Sequence, residues 1–168
     1  MKRNRLYLRV PNQDELAYRI KLLADADTME YNKGFGDDGS GCYYLTQPQA
    51  QDWYTYWFGN PQKYYAYLVG TEDDIPVGEV NIHYSEEYSM HMVGIVIEAC
   101  HRGKGYAEEG LRLLADKAFA DPGIDKIADD FPAERAAAEK TFRKVGFVRL
   151  REDLLVLAKA DYQNARNP

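Results

Sequence analysis

The stretch that most constrains the fold is residues 95–114, which read IVIEACHRGKGYAEEGLRLL. It begins inside the apolar run 92–97, which indicates a strand buried on both faces. Two glycines, Gly103 and Gly105, come next, and an amphipathic helix begins after them and runs to about residue 119. Free amides at a helix N-terminus bind anions, and glycines let the backbone approach the ligand closely. The stretch therefore predicts a site for a phosphate or pyrophosphate group.

Two familiar phosphate-binding patterns do not fit this loop. The mononucleotide pattern GxxxxGKS/T is missing. The dinucleotide pattern needs a third glycine where Glu108 stands, and it normally follows the first strand rather than one at mid-chain. Arg102 and Lys104 add positive charge to the loop, although each could instead be a solvated surface charge, an interpretation that the glycine spacing disfavours more for Arg102 than for Lys104. A glycine-rich connection that holds no ligand is the structural alternative.

The rest of the chain predicts a single α/β domain over residues 1–168, a length that suits one core. Alternation, apolar stripes and turn residues place the elements in the order β-α-α-β-β-β-α-β-α-β-β, which is typical of a mixed sheet. The predicted strands are 5–10, 63–69, 76–84, 89–97, 125–130, 147–151 and 154–159, and the other predicted helices are 13–24, 48–58 and 134–144.

Composition excludes several classes of function. The net charge of −6 does not favour a nucleic-acid partner. Two cysteines, Cys42 and Cys100, make no disulfide framework, and the three histidines are not spaced as metal ligands, so no metal is expected. No apolar run has the length of a signal peptide or a membrane span. These features predict a cytoplasmic protein that does not act at a membrane.

The loop also carries the pattern Arg-x-x-Gly-x-Ala, as Arg102, Gly105 and Ala107. This pattern resembles the acyl-coenzyme A pyrophosphate loop of the GNAT N-acetyltransferases. In that family the loop follows the fourth strand, and a helix ending in Gly-Phe comes later, as KTFRKVGF does at 140–147. The resemblance covers nearly the whole chain and is closest to the ribosomal-protein and polyamine acetyltransferase branch. It implies the GNAT acyl-CoA N-acyltransferase fold, with acetyl-CoA as the cofactor.

The resemblance assigns cofactor-binding roles by position. Backbone groups of the fourth strand would pair with the pantetheine arm, and one of its amides would stabilise the oxyanion. Amides of the loop would hold the pyrophosphate, and the fourth and fifth strands would splay to admit the thioester. The position of the family's tyrosine acid holds Phe142, which packs on the coenzyme but donates no proton, and the position of its asparagine holds Arg135. The implied cofactor-binding residues are Ile95, Val96, Ile97, Arg102, Gly103, Lys104, Gly105, Tyr106, Ala107, Glu108 and Phe142.

A base for the amine is sought on the hairpin 76–97. On its first strand Glu79, Asn81 and His83 share one face. If the connecting loop has an odd length, Glu79 lies opposite Ile95 and His83 opposite His91. Glu79 is the first candidate for the catalytic base and His91 the second, while Asp129 and Asp130 end the fifth strand and could also reach the cleft. Solvated polar residues on a half-exposed strand are the alternative.

Aromatic residues are concentrated where this family receives its acceptor, between the first and second strands. The chain has 14 tyrosines among 22 aromatic residues; 12 of the 22 lie within 31–67, and nine of these come before the second strand begins at residue 63. Carboxylates stand among these rings, a combination that suits a cationic amine. Part of the cluster, Trp57 above all, could instead be core or a dimer contact. The candidate substrate-binding residues are Tyr31, Asp37, Asp38 and Tyr54.

The resemblance implies an enzyme that moves an acetyl group from acetyl-CoA to a primary amine, by direct attack in a ternary complex. The acceptor would be a cationic small molecule, with a protein N-terminus as the alternative and a homodimer as one possible assembly. A CoA-binding domain that acts as a sensor without catalysis is a different class of function. A nucleotide-phosphate enzyme is a third.

Overall fold

The structure is a computed structural model that describes residues 5–167. Over that range the strands form one mixed sheet in the order β1-β2-β3-β4-β5-β7-β6. The mixed α/β architecture predicted from the sequence is confirmed, and each predicted strand is present to within two residues at either end. The strands are β1 Leu6–Arg9, β2 Lys63–Gly70, β3 Pro76–Ser85, β4 Met90–Ile97, β5 Lys126–Asp129, β6 Val148–Arg151 and β7 Leu154–Ala158.

The helices in this part of the chain are α1 Ala17–Ala24, α2 Gln47–Phe58, α3 Tyr106–Phe119, α4 Ala136–Val145 and α5 Lys159–Arg166. The helix predicted over 13–24 is divided, because Asn12 caps a separate 3-10 turn before α1 begins. Helix α2 begins as predicted, at a reciprocal cap between Thr46 and Gln49. The sequence prediction missed α5, whose contact with the core comes from Tyr162. Because Tyr162 is the one buried residue of this short polar helix, the sequence shows no apolar stripe there.

The two faces of the sheet carry different side chains. On one face Val80 and Ile82 of β3 pack with α3 in the main core. On the other face the buried rings of Tyr65 and Tyr67 pack against the tryptophans of α2. Trp57 is among those packed rings, so its interpretation as core is confirmed. Much of the aromatic cluster therefore builds the layer between α2 and the sheet.

Strands β4 and β5 separate as they leave their common end. Within the described chain they pair at His91–Ile127 and Met92–Ala128 and at no later position. The edge of β4 beyond Met92 consequently has no strand beside it in that part of the chain. The separation of these two strands that the family resemblance implies is confirmed.

The register of the β3–β4 hairpin differs from the expectation. The turn 86–89 has four residues, an even number, so each residue of β3 pairs one position further along β4 than expected. Glu79 lies opposite Val96 rather than Ile95, and His91 lies opposite Tyr84. The expectation that Glu79 and His91 share a face was therefore wrong, because a one-residue shift moves a side chain to the other side of the sheet.

Candidate functional site

A cavity of about 1120 Å³ occupies the opening between β4 and β5. Its walls come from both sides of the sheet. Helix α1 and the turn Glu30–Asn32 contribute from one side, and the glycine loop and the start of α4 contribute from the other. Strand β4 lines the centre with residues 94–97. The opening thus joins the predicted anion loop to the predicted acceptor region.

The glycine loop has the backbone geometry that its sequence predicts. Gly103 has φ +75° and Gly105 has φ +79°, a left-handed conformation in which side chains are strained. Gly105 is the N-cap of α3, so the amides of the first helical turn have no acceptor within the helix. A side chain at Gly103 would meet no atom within 4 Å. This open cradle at a helix N-terminus fits a phosphate group.

Charged side chains around the loop are largely used to position it. The Arg102 guanidinium donates hydrogen bonds of 3.1 and 2.6 Å to the carbonyl oxygens of Asp27 and Thr28. Glu108 accepts a 3.1 Å hydrogen bond from Arg112 on the next turn of α3. Lys104 is exposed, and the ring of Tyr106 packs on the core beneath the Arg5 guanidinium. Because the Arg102 and Glu108 side chains are bonded within the protein, the backbone amides remain as the ligand groups of the loop.

The central wall of the cavity is apolar. Ile95, Val96 and Ile97 line it from β4, and Ala107 lines it from α3. Phe142 also lines it and is 4% exposed. The Phe142 ring contacts other rings of the core, with centroids 5.1 Å from Phe131 and 4.8 Å from Phe147. The predicted apolar contact surface for a coenzyme is therefore present beside the free edge of β4.

Glu79 lines the cavity but lies in a buried network. Its Oε1 atom accepts a 2.6 Å hydrogen bond from Arg19 Nη1, and its Oε2 atom accepts a hydrogen bond from the Tyr65 hydroxyl. The Arg19 guanidinium also stacks 3.9 Å from the centroid of the Trp53 ring. Burial would lower the pKa of Arg19, but the adjacent Glu79 carboxylate outweighs it and raises that pKa. Arg19 therefore stays charged.

Asp129 faces the cavity from the end of β5. Its carboxylate is half-buried, and Oδ1 accepts a 2.8 Å hydrogen bond from the Asp130 amide. Burial raises the pKa of Asp129 to about 7, a value that neighbouring charges modify less. The exposed Asp130 carboxylate instead accepts a 3.3 Å hydrogen bond from the Tyr88 hydroxyl. Of the two aspartates, Asp129 has the ionisation suited to proton transfer near neutral pH.

His91, the second candidate base, does not line this cavity as the described residues form it. Its ring contacts Tyr84 edge to face at a centroid distance of 5.2 Å. His83 shares the face of Glu79, lies 6.0 Å from Trp57 between ring centroids, and has a pKa lowered by burial. Hence the two histidines lie on opposite faces of the hairpin.

One of the four predicted acceptor residues lines the cavity. Tyr31 does so, and the Arg135 guanidinium lies 4.7 Å from its ring centroid. Asp37 accepts a 2.8 Å hydrogen bond from the Tyr44 amide, and Asp38 caps the loop at Ser40. Tyr54 donates to the Pro11 carbonyl at 3.3 Å and stacks on Phe58. As far as the chain is described, Tyr54, Asp37 and Asp38 do not contribute to the cavity lining.

Sequence reasoning missed Arg19. It lies on α1, 60 residues before its partner Glu79, and the prediction of α1 attached no role to a charged residue there. The pairing becomes visible only when α1 packs on β3. Glu30, Asn32 and Tyr43 also line the cavity, and the density of aromatic and acidic residues around 30–60 was the signal for that wall.

A group of possible metal ligands precedes the loop. Atoms of Glu98, Cys100 and His101 lie within 4.8 Å of one another. The Glu98 carboxylate is already bonded to Lys21 at 2.8 Å and to the Tyr18 hydroxyl at 3.2 Å. A cation would have to displace the Lys21 ammonium. In residues 5–167 no helix combines the length and apolarity needed to cross a membrane.

Comparisons with known proteins identify the family and the fold. A family model described as an acetyltransferase (GNAT) domain matches residues 5–148. Spermidine N-acetyltransferase from Vibrio cholerae, solved with CoA and spermine, is similar with a TM-score of 0.79 at 16% identity, over 96% of this chain and all of that one. The aminoglycoside acetyltransferase AAC(6')-Ib, solved with ribostamycin and coenzyme A, has a TM-score of 0.74 at 17% identity, over 96% of this chain and 97% of that one.

A GNAT-family acetyltransferase from Bacillus anthracis has a TM-score of 0.73 at 16% identity, over 95% of this chain and 98% of that one. No match was found among curated protein sequences. At these identities the solved structures establish the fold. The family model covers most of the chain. The protein therefore belongs to the GNAT acetyltransferase family.

Proposed function

We propose that this protein transfers an acetyl group from acetyl-CoA to the primary amine of a cationic small molecule. One observation carries the proposal. A single cavity passes through the opening between β4 and β5 and joins the glycine loop to a pocket of aromatic and acidic side chains. A donor and an acceptor that enter from opposite sides of the sheet would meet at the centre of β4.

The coenzyme has a defined place in this proposal. Loop amides from Gly103 to Glu108 hold the pyrophosphate, and Arg102 keeps the loop in place through its two carbonyl contacts. The free edge of β4 pairs with the pantetheine arm as an added strand would, through Ile95, Val96 and Ile97. Phe142 forms an apolar wall beside it. In the cavity the coenzyme supplies the acetyl thioester.

The acceptor pocket suits a cationic amine. Glu30, Tyr31, Tyr43, Trp53 and Glu79 line it from the side of α1 and α2. Aromatic faces and carboxylates together bind an alkylammonium group. Spermine in the Vibrio cholerae structure and ribostamycin in that of AAC(6')-Ib are both amines. We leave Tyr54, Asp37 and Asp38 out of the proposed pocket because their polar groups bond elsewhere.

The chemistry requires a neutral amine and a stabilised oxyanion. An alkylammonium with a pKa near ~10.4 is about one part in a thousand neutral at pH 7, so a proton acceptor is needed in the cavity. A backbone amide of β4 donates to the oxyanion. The leaving thiolate, with a pKa near ~8.5, takes its proton from water, since Phe142 offers none. The Glu79–Arg19 pair shapes the wall that orients the amine.

A direct test mixes the protein with acetyl-CoA and a panel of amines and follows the release of free thiol. The panel contains a polyamine, an aminoglycoside and a peptide with a free N-terminus. We expect turnover with the polyamine or the aminoglycoside. Turnover with the peptide alone would assign protein N-termini as the acceptors. CoA binding in calorimetry without thiol release from any amine would contradict an enzyme, and ATP or NAD binding that CoA fails to displace would contradict the cofactor.

A further inference from the structure

Asp129 occupies a distinctive position in the sheet. Ala128 makes the last pair between β5 and β4, with Met92, and Asp129 is the next residue. Its backbone pairs with Leu155 of β7 on the other side. Asp129 thus stands at the vertex where β4 and β5 separate, held by the sheet rather than by a loop. Its side chain lines the same cavity as residues 94–97 of β4.

The groups that face Asp129 come from several elements. The Asp130 amide donates to it, and the Asp130 carboxylate opposes its ionisation. The Arg135 guanidinium, just before α4, favours its ionisation. Tyr31 from the opposite wall lies within electrostatic range of both Asp129 and Glu79. From β4 and β7 the backbone neighbours at this level are the apolar residues Met92 and Leu155.

Glu79 and Asp129 differ in how their oxygens are used. Both oxygens of Glu79 accept hydrogen bonds, one of them from the charged Arg19. Because both oxygens are occupied, neither is free to approach the amine of a substrate. Asp129 has one contact with a backbone amide, and burial raises its pKa to about 7. A carboxylate of this kind accepts a proton readily and is still ionised in part at neutral pH.

From the position of Asp129 at the vertex and its place in the cavity wall we infer that Asp129 is the general base of the acetyl transfer. The inference rests on the proposed function. As the amine nitrogen bonds to the acetyl carbon, its proton passes to the Asp129 carboxylate, directly or through one water. The carbon–sulfur bond breaks with its electron pair on sulfur, and the CoA thiolate takes a proton from water. Asp129 then returns its proton to solvent.

The test compares Asp129→Asn with the wild-type protein across the pH range, using an amine that the wild type acetylates. The variant should lose about 100-fold in kcat, and its rate should no longer rise with a midpoint near 7. Its affinity for acetyl-CoA in calorimetry should stay within about twofold of wild type. Asp130→Asn is the matched control. It should keep the rate, because the Asp130 side chain contacts Tyr88, and its midpoint should fall only slightly, because the Asp130 charge raises the pKa of Asp129.

A wild-type rate and pH profile in Asp129→Asn would overturn the inference and leave the proposed function standing. Absence of turnover by the wild-type protein with every amine would instead contradict the proposed function, and the inference with it. A carbon-13 NMR titration of the wild-type carboxyls provides a second readout should the variant fold poorly. A midpoint for Asp129 near the ordinary 3.8 would overturn the inference, and one near 7 would support it.

Discussion

Arg19 and Glu79 form an ion pair inside the acceptor side of the cavity, with 2.6 Å between Nη1 and Oε1. Their side chains are 14% and 6% exposed, so both charges are largely removed from water. Removing one partner of a buried ion pair strongly destabilises the protein, because the other charge stays buried and unpaired. Removing both charges destabilises the protein much less. The ion pair therefore stabilises the fold and also forms part of the pocket wall.

Glu79→Gln should destabilise the protein by about 3 kcal/mol, because it leaves the Arg19 charge buried without an anion. The measurement is urea denaturation at neutral pH. The double variant Arg19→Met/Glu79→Gln should recover a large part of the loss. If the free energy of unfolding lost in the double variant equals the sum of the losses in Arg19→Met and Glu79→Gln, the pair contributes no coupling.

Gly105→Asp should weaken acetyl-CoA binding by about tenfold or more. It places a carboxylate and a side chain at the N-terminus of α3, where the pyrophosphate is proposed to lie. Gly34→Asp is the matched control, since Gly34 also has a left-handed φ of +98° and its added side chain meets open space. Calorimetry with CoA distinguishes them. Unchanged affinity in Gly105→Asp would contradict the assigned cofactor site.

The stability of the protein should depend on Asp129. Its pKa is raised to about 7 from 3.8, so the folded state binds this proton more tightly than the unfolded chain. The resulting stabilisation is complete below 3.8 and is lost as the pH rises through about 7. Asp129→Asn stays neutral throughout. The free energy of unfolding of Asp129→Asn, measured in urea relative to that of wild type, should therefore rise by on the order of 3 kcal/mol between about pH 4 and about pH 9.

An Asp129→Asn stability that changes with pH in parallel with wild type would show that this carboxyl titrates normally. Asp130→Asn serves as the control here as well. Asp130 is exposed, and Asp130→Asn should keep a pH-dependent stability of the wild-type kind, with a slightly lower midpoint because the Asp130 charge raises the pKa of Asp129.

Arg135→Ala should move the rise of activity with pH upward by about half a unit. The Arg135 charge lowers the pKa of Asp129, so its removal raises that pKa and delays ionisation of the base. Arg135→Lys keeps the charge and should keep the midpoint. The pH profile of kcat/KM for the amine is the measurement. A midpoint that falls in Arg135→Ala would contradict the assigned electrostatic contact.

The local pattern of the chain was sufficient for much of this description. The glycine loop lies between a buried strand and an amphipathic helix that adjoin it in sequence. Its geometry, with Gly103 and Gly105 at φ near +75°, therefore depends on neighbours along the chain. Local patterns also indicated the sequential order of the elements, and the family resemblance implied the separation of β4 from β5. These features specified the fold and the anion loop.

Three features depended on contacts between distant segments. A turn of four residues rather than an odd number set the β3–β4 register and moved His91 to the face opposite Glu79. Packing of α1 on β3 brought Arg19 to Glu79 across 60 residues. Burial at the end of β5 raised the pKa of Asp129, whereas its exposed neighbour Asp130 faces Tyr88. The strand register, the Arg19–Glu79 ion pair and the burial of Asp129 all depend on where the chain folds back on itself. The sequence alone therefore determined the scaffold, and only the tertiary structure decided which carboxylate is available for proton transfer.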